Sequence, residues 1–320
     1  MLLAKIEHMK AAVLERVGHK PWFKVKDMPR PSLRKGQVLV QNFASSTNPV
    51  DVLMRQGKAW LATAGVSNQV IGCDFCGVVT ISKSPLFKVG DDVFGMCSIV
   101  KGGAYAEEVV VDANQVALKP ANLTYIEAGV IPLVGLTAYQ ALFGIGKLQE
   151  RENVLITGCT GGVGSAAVQL ARSLNCHISG LCSEKHRSDA HNLGCDVVID
   201  YKNQKIPSGA RFNLIFDAAG KYTYSDLKHH LIENGIFITT RGETHTIKGM
   251  VRTAVDVVLE PQMKMVFVKA SAIDLNKIKE IIEQNVFKIP VASVFSLEQI
   301  KEAHQLMEKG GFVGKIGIKI

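Results

Sequence analysis

Apolar and polar positions are arranged in two different ways along this chain, and the change falls near Glu127. Ahead of it, short β-branched runs such as Val38–Phe43 and Val109–Val111 are punctuated by Gly, Pro, Asn and Asp, which predicts strands joined by turns. Pro29–Pro31 and Lys88–Val93 read as loops feeding strands. Behind it, the apolar run Val154–Thr157 predicts a buried strand, and Gly164–Leu174 carries Ala167, Leu170, Ala171 and Leu174 at helical spacing. Further strands are expected at His177–Cys182, Asp196–Asp200, Asn213–Asp217, Ile236–Thr239 and Met265–Val268, with helical patterns between several of them. Alternation of this kind implies a doubly wound parallel sheet. After Ala270 come two helical stretches, Leu275–Glu283 and Leu297–Glu308, and a terminal strand, Lys315–Ile320. The expectation is a β-rich domain from residues 1–127 and 270–320, interrupted by a nucleotide-binding domain over residues 128–269.

One uncharged stretch, Ala128–Gly146, is nearly long enough to cross a bilayer. Pro132, Gly135, Thr137, Gln140 and Gly144 weaken a lipid-facing helix, so a helix buried in a large core is expected and no membrane span. The length of 320 residues suits two domains, and 47% hydrophobic with 21% charged residues excludes a disordered chain. Lys+Arg 37 against Asp+Glu 29 gives a net +8, spread along the chain rather than gathered in a stripe. That distribution suits an anionic small molecule and argues against nucleic acid. Seven cysteines lie in apolar segments, among them Cys159, Cys176 and Cys182. Reduced thiols and a cytoplasmic location follow as expectations, and the first residues lack a signal-peptide pattern.

The strongest local signal is Val154–Gly164, a glycine-rich turn between a buried strand and an amphipathic helix. A pyrophosphate needs close approach to backbone N–H groups, and the helix N-terminus adds partial positive charge. Thr160, Gly161, Gly162 and Val163 are therefore expected to line it. The type of dinucleotide is read about 20 residues on, where an acidic residue would hold a ribose 2′-hydroxyl. Here the strand ends at Cys182 and is followed by Ser183, Glu184 and Lys185. Ser183 and Lys185 can donate to a 2′-phosphate, and Tyr201 adds a phenol, so NADPH is the expected cofactor. Glu184 would compete for the NAD role if the strand ran one residue longer. Ala218, Ala219 and Gly220 end the fourth strand, Thr239 and Thr240 the fifth, and Phe267 and Val268 the sixth. Carboxyl ends of strands face the ligand crevice.

The chain resembles the zinc-free quinone oxidoreductases of the medium-chain dehydrogenase/reductase superfamily, the ζ-crystallin-like group. Within it, the resemblance is to the branch of chloroplast-envelope quinone oxidoreductase homologues and mitochondrial reticulon-interacting reductases. It is carried by Asn48–Asp51, Gly72–Val79, Pro132–Tyr139, the glycine turn, Cys182–Lys185, Val198–Tyr201, Phe216–Gly220 and Gly314-Lys315. It implies a GroES-like catalytic domain joined to a Rossmann cofactor domain, and a homodimer. Zinc-dependent relatives hold one metal with a Cys, a Gly-His-Glu and a later Cys. This chain has Asn48, Cys73 and Asp74 in the first three places and no Cys in the last, so no metal is expected. The Cys73–Cys76 pair is read as buried thiols, with a redox pair as the alternative.

The resemblance implies hydride transfer from NADPH to a quinone or an α,β-unsaturated carbonyl, acceptors that need no Lewis acid to be reduced. It places the Asn48 amide beside the nicotinamide or the acceptor carbonyl and turns the Thr137 hydroxyl towards the nicotinamide end. Each also has a plain structural reading, an Asn-Pro turn for Asn48 and a backbone-bonded helix hydroxyl for Thr137. Asp51 is expected to fix local geometry. Lys315 either reaches the cofactor or is a surface lysine. His8, His177, His186, His229 and His230 match no catalytic spacing. Two alternatives remain open: an enoyl-thioester reductase using Tyr105 or Tyr125, and a non-catalytic NADPH-binding or RNA-binding protein of the same fold.

Overall fold

The computed structural model describes residues 8–17, 23–58, 68–240, 258–284 and 287–320. Residues 1–7, read above for a leader, lie outside them. The first third supplies strands β1 (His8–Leu14), β2 (Phe23–Pro29), β3 (Gln37–Thr47), β4 (Gln69–Val70), β5 (Asp74–Ser82), β6 (Asp92–Met96), β7 (Glu108–Asp112) and β8 (Val116–Leu118). A short helix α1 (Pro49–Arg55) follows β3 directly, with proline in its first turn. The chain's end returns as β15 (Val291–Ser296) and β16 (Lys315–Lys319), completing a seven-stranded sheet in the order β15-β16-β3-β5-β6-β8, with β7 also paired to β3. β2, β1 and β4 form a smaller sheet. The pairing of Ile316 with Thr47 brings Lys315 beside the β3–α1 junction. That register does more to place the site than any local feature of the C-terminal segment.

The remaining strands, β9 (Asn153–Thr157), β10 (His177–Cys182), β11 (Val197–Asp200), β12 (Phe212–Asp217), β13 (Leu231–Thr239) and β14 (Met263–Met265), form the expected parallel sheet. Its order is β11-β10-β9-β12-β13-β14. The chain winds outward from β9 to one edge, then returns to β12 and winds to the other. The reversal between β9 and β12 is the switch point where a crevice opens at the strands' carboxyl ends. Asp217 ties those ends together, accepting from Thr157 Oγ1 at 2.6 Å and from Thr239 Oγ1 at 2.9 Å. The sixth strand stops earlier than its apolar run suggested: pairing ends at Thr239–Met265, leaving Phe267 and Val268 beyond it.

The uncharged stretch becomes α2 (Tyr125–Gly129), α3 (Pro132–Tyr139) and a π-helical turn at Gln140–Ile145. Every residue of α3 from Pro132 to Ala138 is buried, which is why it has no polar face. It packs against α4 (Gly162–Arg172) and α7 (Ala272–Glu283); α5 (Arg187–Leu193) and α6 (Tyr224–Leu227) fall between those two in chain order. One apolar cluster runs from Ala44, Cys73 and Phe94 through Leu133 and Leu136 to Val154 and Leu214, so α3 joins the cores of the two sheets. Among the described residues, no helix is long and apolar enough to cross a membrane. A last helix, α8 (Ile300–Lys309), packs against α1, β3, β15 and β16.

Candidate active site

The turn after β9 is shaped by what its glycines lack. A Cβ on Gly164 would lie 2.0 Å from the Gly158 carbonyl oxygen, so only glycine lets α4 start this close to the strand. Gly161 caps α4 in an extended conformation and has no side chain to bond the first-turn N–H groups. Those donors, on an 11-residue helix, stay available to an anion. The turn is held from the far end of the chain: the Gly314 amide donates to the Thr160 carbonyl at 2.8 Å, and Gly161 bridges to Gly314. A Cβ on Gly162 would fall 2.8 Å from Lys315 Cδ, so the lysine stem lies directly under the cradle. This arrangement fits a dinucleotide pyrophosphate.

At the tip of β10, Ser183 makes no side-chain cap bond and Lys185 donates to the Gly311 carbonyl at 2.8 Å. β10 ends at Cys182, and the Glu184 carboxylate is held by Arg187 through two bonds of 2.8 and 2.7 Å. The Glu184 carboxylate is thus paired with Arg187 at the solvent-exposed edge of the site. Tyr201 stands half exposed just past β11. The Ala219 amide donates to Thr157 Oγ1, and Thr240 Oγ1 lies 3.3 Å from the Ala218 carbonyl, which sets the crevice floor. Phe267 is 65% exposed, while Val268 packs on the main core. Neither lies on the strand end that motivated its choice.

A compact polar cluster lies beneath the lysine stem. Lys315 is 2% exposed, which excludes the surface lysine allowed above. Its ammonium donates to the Thr47 carbonyl at 2.8 Å and to Asn48 Oδ1, and lies 3.6 Å from Asp74 Oδ2. Asn48 Nδ2 donates to Asp74 Oδ2 at 2.9 Å and approaches Cys73 Sγ at 3.7 Å. Both ends of the amide are therefore engaged inside the protein. Asn48 thus bridges a buried cation and a buried carboxylate. Asp74 also accepts from Ser46 Oγ at 2.5 Å and, through Oδ1, from the Leu133 amide at 2.7 Å, which pins the start of α3 to β5. Thr137 gives its hydroxyl hydrogen to the Leu133 carbonyl at 2.7 Å, the backbone-bonded alternative, and keeps only lone pairs for a ligand.

Burial disfavours the charged forms of Lys315, Asp51 and Cys73. It pulls the Lys315 ammonium below its usual range, against the opposing pull of Asp74, Cys73 and Asp51. It pushes Asp51 up to about 7, with the negative charge of Asp74 adding to the effect. Cys73 is raised well above an ordinary thiol by burial, then by Asp51 and Asp74. All seven cysteines are free and buried, Cys73 and Cys76 included.

Sequence reasoning missed Asp217 and His304, and it offered Tyr105 only as a proton donor to a thioester. Tyr105 is fully buried and bonded to Asp51 at 3.1 Å, and Tyr125 bonds Asp92 at 2.6 Å, so neither points to a thioester carbonyl. The signal for His304 was available in principle. It is the one polar residue whose side chain α8 buries, and its position falls in phase with Ile300 and Ala303.

Two family models match the chain: an alcohol dehydrogenase GroES-like domain over residues 34–121, and a zinc-binding dehydrogenase over residues 193–316. A mitochondrial NAD(P)H oxidoreductase of Danio rerio is 30% identical, covering 89% of this chain and 84% of its own. A 2-methylene-furan-3-one reductase of Solanum lycopersicum is 29% identical over 90% of this chain and 73% of its own. The quinone oxidoreductase of Coxiella burnetii superposes with a TM-score of 0.86 at 25% identity, covering 98% of this chain and 100% of that one. Fold and crevice thus define an oxidoreductase with a GroES-like domain and a Rossmann domain. The chain belongs to the quinone oxidoreductase-like branch of the medium-chain dehydrogenase/reductase superfamily, whose members use NAD(P)H.

Zinc, which the name of one family model implies, does not fit these residues. Among the described residues no three His, Cys, Asp or Glu side chains gather to hold a metal. Burial, and then the charges of Asp51 and Asp74, oppose the Cys73 thiolate a metal needs, and the ammonium of Lys315 already brings positive charge to Asn48 and Asp74.

Proposed function

We propose that this protein transfers hydride from NADPH to a quinone or an α,β-unsaturated carbonyl without a metal. The observation that carries this reading is Lys315, a buried cation whose stem lies under the glycine cradle and whose ammonium lies beside Asn48 and Asp74. A conjugated acceptor spreads the negative charge it gains, so a fixed ammonium suffices where alcohol chemistry would need a Lewis acid. When bound, the dinucleotide supplies the hydride. The glycine turn holds its pyrophosphate, and the crevice between β9 and β12 orients the nicotinamide and excludes water. Preference for NADPH is supported by Ser183 and Lys185 at the β10 tip and by the pairing of Glu184 with Arg187.

The test is NADPH oxidation, followed by its near-ultraviolet absorbance with a panel of quinones and enones, NADH alongside and chelator added. Turnover that favours NADPH and ignores the chelator is expected. Tightly held stoichiometric zinc in the native protein, or no oxidation with any acceptor, overturns the reading.

A further inference from the structure

Asp51, Tyr105 and His304 come from α1, the segment before β7 and α8, and meet in one buried line. The Tyr105 hydroxyl lies 3.1 Å from Asp51 Oδ2 and 3.2 Å from His304 Nε2. Tyr105 reaches this place because Gly72 is a glycine: a Cβ there would stand 2.5 Å from the ring, and its φ is +87°. At one end of the line, Asp51 accepts from the Asn48 backbone N–H at 2.9 Å, beside the polar cluster. At the other, His304 Nδ1 is buried and has no hydrogen-bond partner among the described residues. A buried ring nitrogen left unpaired calls for an explanation.

We infer that Asp51, Tyr105 and His304 form a proton relay that carries a proton from His304 Nδ1 to Asp51, resupplying the hydride-transfer site. The inference rests on the functional reading above, since that reaction consumes one proton for each hydride delivered. The steps balance. With Asp51 ionised, His304 Nε2–H donates to the tyrosine oxygen and the tyrosine O–H donates to Asp51. A proton taken from water at Nδ1 lets the Nε2 proton move to the tyrosine oxygen while the tyrosine's own proton moves to Asp51. His304 ends neutral with its hydrogen on Nδ1, Tyr105 is unchanged, and Asp51 is a carboxylic acid. That acid then protonates the acceptor anion, directly or through one water.

The surroundings suit this task. Burial holds the His304 imidazolium down at about 3, with Arg55 of α1 adding repulsion, so the ring shuttles protons while neutral. Arg55 is itself paired with Glu308 at 2.6 Å. Burial also holds the Tyr105 phenol well above its usual range, so no phenolate accumulates. Asp51, faced by Asp74, Cys73, Lys315 and Tyr105, titrates at about 7 and is available in both forms at neutral pH. The acid form does the work, so proton delivery should fall as pH rises through about 7.

Nitrogen-15 NMR of histidine-labelled wild-type protein tests the relay without turnover. His304 should switch from the Nδ1–H to the Nε2–H tautomer as pH rises through the Asp51 midpoint; a single tautomer throughout overturns the relay. In turnover, His304→Gln keeps a donor to Tyr105 but cannot exchange protons. It should lower kcat about a hundredfold with little change in KM for NADPH. Its solvent deuterium isotope effect should rise while the effect of deuterated NADPH shrinks towards unity. Wild-type isotope effects in this variant would equally reject the relay. A tautomer switch in a protein that oxidises no NADPH would reject the functional reading alone.

Discussion

The two halves of the crevice are built on opposite physical terms. The cradle proposed for the pyrophosphate is a local turn whose value lies in absent side chains, since free N–H groups and close backbone approach would do the binding. The polar cluster is assembled from β3, β5, α1 and β16, and its value lies in side chains that satisfy one another away from water. Added bulk is the weakness of the first. The second is vulnerable to subtraction, because removing one member leaves buried charge uncompensated. Among the described residues Lys315 belongs to both, lying under Gly162 and ending beside Asn48.

Lys315→Met should therefore have the largest effect of any single change. It keeps the stem under the cradle but strands Asp74 and Asp51, and removal of one partner from a buried ionic group costs about 3–5 kcal/mol. Chemical unfolding measures the loss, and hydride transfer should fall with it. A variant as stable as wild type would show that the cluster is not held by charge.

Asp51 sharpens the same half through pH. Its folded value is raised from 3.8 to about 7, so the folded protein holds this proton more tightly than the unfolded chain does. The sign follows: between those values the unfolded state has already lost its proton, and stability falls as pH rises. The contribution is on the order of 4 kcal/mol across the window. Asp51→Asn should flatten that slope in unfolding measurements from about 4 to about 7. An unchanged slope would mean that Asp51 is ionised in the folded protein throughout.

The cradle breaks in the other direction. A Cβ added by Gly162→Ala meets Lys315 Cδ at 2.8 Å and Val134 Cγ1 at 3.0 Å, so the lysine stem must shift. Overpacking of this kind costs about 1–3 kcal/mol. The expected signature is a raised KM for NADPH together with a weakened cluster. If only cofactor affinity moved, the two halves would be mechanically independent.

How far each half could be read from sequence follows from the same contrast. The parallel sheet, the glycine turn and Thr160–Val163 are local, so spacing and periodicity were enough to find them. Lys315, Tyr105 and His304 acquire their places through pairings between residues far apart, above all Thr47 with Ile316. A single chain's pattern does not encode that register strongly, and Lys315 therefore read equally well as a surface residue. Phe267 failed for a third reason: its apolar run resembles a strand, but pairing with β13 stops at Met265. Asn48 was picked out by its motif, while its engagement by Lys315 and Asp74 became visible only in three dimensions.

The smallest expected effect concerns the edge of the cradle, where a charge rather than a shape is discriminated. Ser183 and Lys185 follow β10, Lys185 leans on the Gly311 carbonyl, and Glu184 is drawn aside by Arg187. All of these groups are near solvent, so each contact with a 2′-phosphate is screened and modest. Ser183→Asp combined with Lys185→Ala replaces a donor and a cation with a repelling carboxylate. The ratio of kcat/KM for NADPH over NADH should drop by about tenfold, equivalent to about 1.4 kcal/mol. Stability should barely change, because neither side chain supports the fold. Arg187 would remain and hold part of the preference, so its removal in addition should lower the ratio again. An unaltered ratio after all three changes would place the 2′-phosphate elsewhere, with Tyr201 at the end of β11 the next residue to test.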